Sequence, residues 1–398
     1  MAPFLLTLSR PAASVGTTAF LVGAMALSGC SSTPKKVAVA PSTTTVAPTT
    51  AVVPPPTFTA TGMPPALAAV IKPLYRGGPV LASSSAAKVL SKRKPVRAAE
   101  PVVVKGAVSS WKGVPIAVVT RGKDVTLAVA TPKWKVVGGW WPSVGVAAPS
   151  LGGKPRRVLM IGSDARPGQK VDRSRADSLH IVGFDGRGGG GIVGIARDAY
   201  VPLATGGRGK INSALALGGP KAQTRTVASA SGVRLEGYMI TGFQGFKKLI
   251  NGIGGLPLRA PVAVKDAGSG ANVKAGLNEL TGREALAYGR ARYGVPGGDF
   301  GRSANQGRLI LAANAFTKRV GPTKLPAILH MASTRIGTNL SAEQVLTFAA
   351  GTFITNPRKV PNRVASGGFG WTSDRQSIVI LDAKARRMFA DIRDGNLS

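Results

Sequence analysis

The stretch RVLMIGSDAR (157–166) sets an apolar run, Arg157–Ile161, directly against Gly162-Ser163-Asp164. A short apolar run bounded by Gly and polar residues reads as a buried strand entering a loop. Working outward, Ser178–Phe184 (SLHIVGF) reads as a second strand and Gly191–Ile195 (GIVGI) as a third, joined by the glycine-rich link at 186–191. Gln223–Ser231 reads as a helix, Gly237–Thr241 as a strand and Phe243–Asn251 as a helix. Thr281 can cap a helix running to Tyr288, and Arg302–Arg319 is long and amphipathic. Strands and helices interleave, so the class is α/β (α+β) with a central mixed sheet flanked by helices.

Upstream of this domain the chain has a different character. Residues 11–29 are uncharged and apolar and end at Leu27-Ser28-Gly29-Cys30, which holds the chain's one cysteine. This is similar to a bacterial lipoprotein signal, cut before a cysteine that then carries lipid. The other reading is an uncleaved membrane anchor. Either tethers the rest outside the cytoplasmic membrane, facing the wall. Residues 30–60 are Ser/Thr/Pro-rich and read as an extended spacer. Residues 61–150 hold 13 Lys and Arg against Glu100 and Asp124, with a basic run at 88–97. Ile116–Thr120, Val125–Ala130 and Lys133–Val137 read as a small β-meander, giving a β-rich accessory region. Its tryptophans, Trp111, Trp134, Trp140 and Trp141, form either a small core or a glycan- or headgroup-binding surface. Residues 151–398 read as the main domain.

Composition limits the chemistry. One cysteine excludes a disulfide framework within the chain, and two histidines, His180 and His330, exclude a multi-histidine metal site. The 52 Lys and Arg against 17 Asp and Glu, a net +35, imply anionic surroundings. Nucleic acid is one such partner. The export signal and the lack of a recognition-helix motif disfavour it, so an anionic wall and lipid surface is the expectation.

Asp164 follows a strand and Asp177 opens the next. Carboxylates at adjacent strand ends can share a divalent cation, Mg²⁺ or Mn²⁺, completed by phosphate oxygens and water; they can also be ordinary loop caps. Arg173 and Arg175 lie two apart, as do Arg290 and Arg292, so in extended backbone each pair faces one way. Arg197 follows the third strand, and Lys210 precedes Ile211-Asn212. Arg302 and Gln306 are i,i+4 near a helix N-terminus, where guanidinium groups and backbone N–H groups suit pyrophosphate.

The ordered set GSDAR (162–166), RSRADS (173–178), IARDAYV (195–201), KINSALALGG (210–219), GFQGFKKLINGIGGL (242–256), LTGREALAYGRARYG (280–294) and GDFGRSANQ (298–306) resembles the LytR–CpsA–Psr family. NLSAEQVLTFA (339–349) and SIVILDAKARRMFADIRDG (377–395) fit it too, so the resemblance spans about 155–396. It implies an extracytoplasmic phosphotransferase that moves a glycopolymer from a polyprenyl-pyrophosphate carrier onto a peptidoglycan hydroxyl of N-acetylmuramic acid, releasing polyprenyl phosphate. By position, Asp164 and Asp177 would serve the Mg²⁺–pyrophosphate and, with Arg175 and Arg197, the catalysis. Arg173, Arg175, Arg197, Arg290, Arg292, Arg302 and Gln306 would form the pyrophosphate shell, and Lys210 and Asp299 match family positions of less defined role. The lipid tail would need a groove between the sheet and helices such as 243–251 and 302–319. Two departures stand out: Ala196 replaces a common Pro, and Asn305 a common Arg. The competing readings are a pyrophosphatase that releases polymer to water, and a lipid-anchored phosphopolymer binder without turnover.

Overall fold

In the computed structural model, which describes residues 57–153 and 155–398, the chain first builds a six-stranded sheet. Its strands are β1 (Phe58–Thr61), β2 (Val102–Trp111), β3 (Val114–Arg121), β4 (Asp124–Ala130), β5 (Trp134–Trp141) and β6 (Val146–Ser150), in that order. The signal segment, Cys30 and most of the Ser/Thr/Pro-rich stretch lie outside the described residues. The end of that stretch is not spacer: Phe58–Thr61 pairs in parallel with Val102–Lys105.

The expected meander is present, but it carries two helices that the sequence reading did not place. They are α1 (Pro65–Arg76) and α2 (Ser84–Leu90). Leu67, Ile71, Leu74 and Tyr75 recur at helical spacing and are buried. Pro73 reads as a breaker, yet it sits in the last turn of α1. Part of the basic run is internal as well. Arg93 donates to the carbonyls of Leu74, Leu90 and Pro73 at 3.0–3.1 Å, so it clamps the end of α1. The tryptophans are core. Trp111 and Trp141 are buried, and Trp141 Nε1 donates to Thr126 Oγ1 at 2.7 Å.

This sheet is buried on both faces. Ala117, Val119, Ala128 and Val136 pack with α1 and α2. Ile116, Val118, Leu127 and Val129 alternate with them and pack against α7 (Leu325–Ser333) and α8 (Ala342–Ile354) of the following domain. Val158 and Phe184 of the second sheet join that same core, so accessory and main sheets share one apolar layer.

The second sheet is mixed, in the order β17-β12-β7-β8-β9-β18. The strands are β7 (Arg156–Ser163), β8 (Ala176–Phe184), β9 (Gly190–Gly194), β12 (Gly237–Gly242), β17 (Gly337–Thr338) and β18 (Asn362–Val364). β7 runs antiparallel to β8 and parallel to β12. This is the expected class and central mixed sheet. Its other face packs on α3 (Ser213–Ser231) and α9 (Ala383–Asp391). α3 begins ten residues earlier than expected and is kinked at Gly219, whose φ of 73° a side chain would resist. Between β9 and α3 runs a small hairpin, β10 (Tyr200–Pro202) and β11 (Arg208–Lys210).

A third group stands over the sheet's end. It comprises α4 (Phe243–Gly252), the short strands β13 (Leu256–Ala260), β14 (Val264–Asp266), β15 (Ala271–Val273) and β16 (Gly276–Leu280), then α5 (Gly282–Arg290) and α6 (Asp299–Val320). Thr281 caps α5 as expected, and does so in a capping box with Glu284. Gly282 lets α5 touch α4: an added Cβ would lie 2.3 Å from the Lys247 carbonyl oxygen. A last hairpin, β19 (Gly367–Trp371) and β20 (Ser377–Leu381), precedes α9. No helix among the described residues is long and apolar enough to cross a membrane.

Candidate functional site

Antiparallel pairing brings the C-terminal ends of β7 and β9 to the N-terminal end of β8. Asp164, Asp177 and Arg197 therefore leave one edge of the sheet together. Asp164 is fixed by its backbone N–H, which donates to the Arg175 carbonyl at 3.0 Å. The Arg175 N–H in turn donates to Asp164 Oδ1 at 2.9 Å. Arg197 Nη1 donates to Asp177 Oδ1 at 2.7 Å. Asp198 lies 3.5 Å from Arg197 Nε and 3.0 Å from Lys210 Nζ, so it couples β11 to this edge.

The opposing wall comes from the α5–α6 connection. Arg302 is only 5% exposed and lies 2.8 Å from Asp299 Oδ1, which Arg292 Nε approaches to 3.4 Å. Gln306, one turn on, donates to the Gly289 carbonyl at 2.9 Å and the Asp177 carbonyl at 3.4 Å. Asp266 shapes the loop after α5 by accepting from the Arg292 and Tyr293 N–H groups at 2.7 and 3.2 Å. Those bonds, the Arg292 N–H above all, hold its carboxyl below the usual range.

Charge is concentrated and incompletely paired. Burial, and then the Asp177 charge, push the Asp164 carboxyl above its usual value. Burial works to lower the Arg197 pKa, but Asp177, Asp198 and Asp299 outweigh it and raise it. Burial lowers that of Arg302, with Asp299 opposing. Arg197 Nε and Arg302 Nε are buried with no protein hydrogen-bond partner. Buried guanidinium donors in that condition are suited to the oxygens of an anionic ligand.

Behind this polar mouth lies an apolar cleft of about 580 Å³. Ile161, Met239 and Ile240 form its sheet side, with Phe246, Leu309 and Ile310 from α4 and α6 opposite. Arg166, Asp177, Arg197, Arg290, Arg292, Arg302 and Gln306 line the same cleft at its polar end. The Phe243 ring is flanked by two cations there: Arg290 at 5.0 Å and Arg166 at 5.5 Å from its centroid. The groove expected between the sheet and the helices at 243–251 and 302–319 is therefore present.

The i,i+4 pair Arg302 and Gln306 shares the cleft as its spacing suggests. Arg173 and Arg175 do not line it. Residues 171–173 form a 3₁₀ turn, so the extended backbone assumed for that pair fails at Arg173, and both residues are exposed. Arg175 acts through its backbone on Asp164. Lys210 and Asp299 stand one residue back, paired with Asp198 and with Arg302. Asn305 is buried away from the cleft, accepting from Arg308 Nη1 at 2.7 Å. Sequence reading overlooked Arg166, Asp198, Phe243 and Asp266. Arg166 was visible inside GSDAR, but the two cation–π contacts on Phe243 join positions far apart in the chain.

No group of three or more His, Cys, Asp or Glu able to hold a metal occurs among the described residues. Asp164 and Asp177 each commit one oxygen, to the Arg175 N–H and to Arg197. The second oxygen of each remains as a donor. Two carboxylate oxygens suit Mg²⁺ in the mode where phosphate and water supply the rest.

A model of the LytR_cpsA_psr family matches residues 143–385. Regulatory protein MsrR of Staphylococcus aureus (strain Mu50 / ATCC 700699) is 36% identical over 157 residues, 38% of this chain and 46% of that protein. The polyisoprenyl-teichoic acid–peptidoglycan teichoic acid transferase TagV of Bacillus subtilis (strain 168) is 33% identical over 202 residues, 47% of this chain and 50% of that protein. This chain spans about half the length of the curated relatives it matches. The crystal structure of B. subtilis TagV has a TM-score of 0.51 and 28% identity, covering 61% of this chain and 98% of that one.

Proposed function

This chain belongs to the LytR–CpsA–Psr family, and on that footing we propose that it transfers a glycopolymer from a polyprenyl-pyrophosphate carrier to a peptidoglycan hydroxyl. One observation carries the reading: an apolar cleft opens directly onto a mouth of five arginines and Asp177. That pairing of hydrocarbon-sized space with guanidinium groups suits a lipid with a phosphate head, and the family membership supports reading it as an isoprenoid pyrophosphate. A relative at 33% identity is named for such a transfer, of teichoic acid.

In this reading the isoprenoid lies against Ile161, Met239, Phe246 and Leu309. The pyrophosphate oxygens take the free donors of Arg197 and Arg302, with Arg166, Arg290 and Arg292 around them. The acceptor oxygen bonds to the phosphorus that carries the glycan, and the bond from that phosphorus to the bridging oxygen breaks. The bridging oxygen leaves with polyprenyl phosphate, and its new charge falls on the arginines. The hydroxyl proton passes to Asp177, which lines the cleft beside Arg197. Mg²⁺ or Mn²⁺, held by Asp164 and Asp177, would add positive charge at the two phosphates.

The lipid anchor at Cys30, with 1–29 as its signal, belongs to the same proposal, since a membrane-borne donor requires an enzyme held at the outer membrane face. Purified protein given a prenyl-pyrophosphate-linked glycan and peptidoglycan fragments should form a phosphodiester-linked product. No such product, with wild type indistinguishable from Asp164→Ala, would end the enzyme reading.

A further inference from the structure

The β19–β20 hairpin carries a surface that the proposed chemistry leaves unused. Phe369 and Trp371 are each 73% exposed. Phe369 and Trp371 are two residues apart on one strand, so they share a face at about 7 Å spacing. Large exposed aromatics so close together mark an interaction surface rather than ordinary surface scatter.

Three links tie this hairpin to one side of the mouth. The Phe369 ring meets Phe300 edge-on at 5.9 Å, and Phe300 lies between Asp299 and Arg302 in the chain. The Val379 N–H donates to the Asp198 carbonyl at 2.9 Å. At the turn, Thr372 and Gln376 donate to Asp374, and these bonds, with Lys210 as a further cause, hold its carboxyl low. Asp198 and Lys210 are the pair behind Arg197 and Asp177. The hairpin therefore borders the Asp177 side, while Arg166, Phe243 and Arg290 form the other.

We propose that Phe369 and Trp371 form a docking strip for the peptidoglycan glycan strand, stacking its sugar rings as the acceptor hydroxyl approaches Asp177. The proposal rests on the transfer reading and assigns its acceptor side. A leaving polyprenyl phosphate departs along the cleft, so the in-line acceptor enters from outside the mouth, on the side of the group that takes its proton. The apolar C–H face of a pyranose fits the electron-rich face of an aromatic ring. The hairpin tip, Thr372-Ser373-Asp374-Arg375-Gln376, is wholly polar, and its one acid and one base leave it without net charge in a chain of net +35. A polar, neutral tip suits sugar hydroxyls and lacks the excess positive charge that draws a surface to anionic lipids.

The test is co-sedimentation of the full chain with insoluble peptidoglycan, without donor, at salt high enough to suppress purely ionic adsorption. Trp371→Ala and Phe369→Ala should each weaken binding about fivefold, a stacking-sized effect. In the transfer assay the same variants should raise the acceptor KM by a like factor, leaving kcat and donor KM unchanged. A thermal midpoint equal to wild type for Trp371→Ala excludes unfolding as the cause. Unchanged sedimentation by both variants overturns the proposal, as does a loss confined to flotation with anionic phospholipid vesicles. Because sedimentation needs no turnover, it can succeed even where the transfer reading fails.

Discussion

Arg197 Nη1 lies 2.7 Å from Asp177 Oδ1, and Arg197 keeps a second donor, Nε, without a hydrogen-bond partner. One guanidinium thus fixes the Asp177 carboxylate, while its Nε, paired with Asp198 at 3.5 Å but making no hydrogen bond, keeps a donor that a phosphate oxygen can take. Arg197→Ala should lower transfer by about 10²-fold or more, the usual scale for losing a preorganised donor to a developing oxyanion. Arg197→Lys should recover little, since an ammonium cannot hold both partners in a fixed fork. Initial rates at saturating donor check this; a loss below fivefold for Arg197→Ala would contradict it.

The cleft should measure the length of the lipid. Ala313 lines it from α6, and Ala313→Trp would occupy space meant for isoprene units. Affinity for a long prenyl pyrophosphate should fall about tenfold, as hydrocarbon surface is left in water. Affinity for a two-isoprene analogue, held mainly by its head, should change little. Calorimetric titration of both ligands decides; equal losses would mean that the tail does not lie there.

Metal binding should carry the signature of Asp164. Its carboxyl pKa is raised, by burial first and then by Asp177, so protons compete with the cation at a higher pH than at an ordinary carboxylate. Mn²⁺ affinity, followed by electron paramagnetic resonance, should decline on acidification beginning above the normal carboxylate range. Asp164→Asn should remove both the affinity and its pH dependence. Binding unaffected by that change would place any cation elsewhere.

His180 predicts how the fold responds to acid. It is fully buried, its Nε2 is 3.0 Å from the Ser303 carbonyl, and burial lowers its pKa to about 4. The unfolded chain gains that proton near pH 6.5 and the folded chain only near 4, so stability declines as pH falls through this window. The limiting slope is about 1.4 kcal/mol per pH unit. Carboxylates held low, such as Asp266, add losses only below it, and Asp164, held high, acts in the opposite sense. Urea midpoints should be lower at pH 5 than at pH 7, with His180→Asn flattening the difference. Equal wild-type midpoints would contradict the assignment.

The shared core between the sheets predicts common melting. Leu346 is buried among Val118, Leu127 and Phe184, and Leu346→Ala should cost about 2–5 kcal/mol. Tryptophan fluorescence, which comes mostly from the accessory sheet, and far-ultraviolet dichroism should shift together in one transition. Separate transitions would show that the sheets fold independently.

What could be read from the sequence follows the range of the forces involved. Strand ends at Asp164 and Asp177, the Thr281 cap and the Arg302–Gln306 face depend on neighbours within a few residues, and they hold. Helix α1 was hidden because Pro73 looks like a breaker and the burial of Leu67 and Ile71 depends on a sheet built 30 or more residues later. Arg173 was misplaced because a 3₁₀ turn, not an extended strand, precedes β8. The cation–π pair on Phe243 and the hairpin beside Asp198 join distant segments, which periodicity cannot register.

The central claim is that one site holds the lipid pyrophosphate while its glycan passes to peptidoglycan. Phosphorus nuclear magnetic resonance on the full chain, with a polyprenyl-pyrophosphate glycan and Mg²⁺, follows every phosphorus at once. With peptidoglycan fragments present, the pyrophosphate pair should give way to one phosphodiester and one polyprenyl phosphate in equal amounts, and without them it should persist. Release of polyprenyl phosphate in the absence of acceptor, or no change in either mixture, would contradict the account.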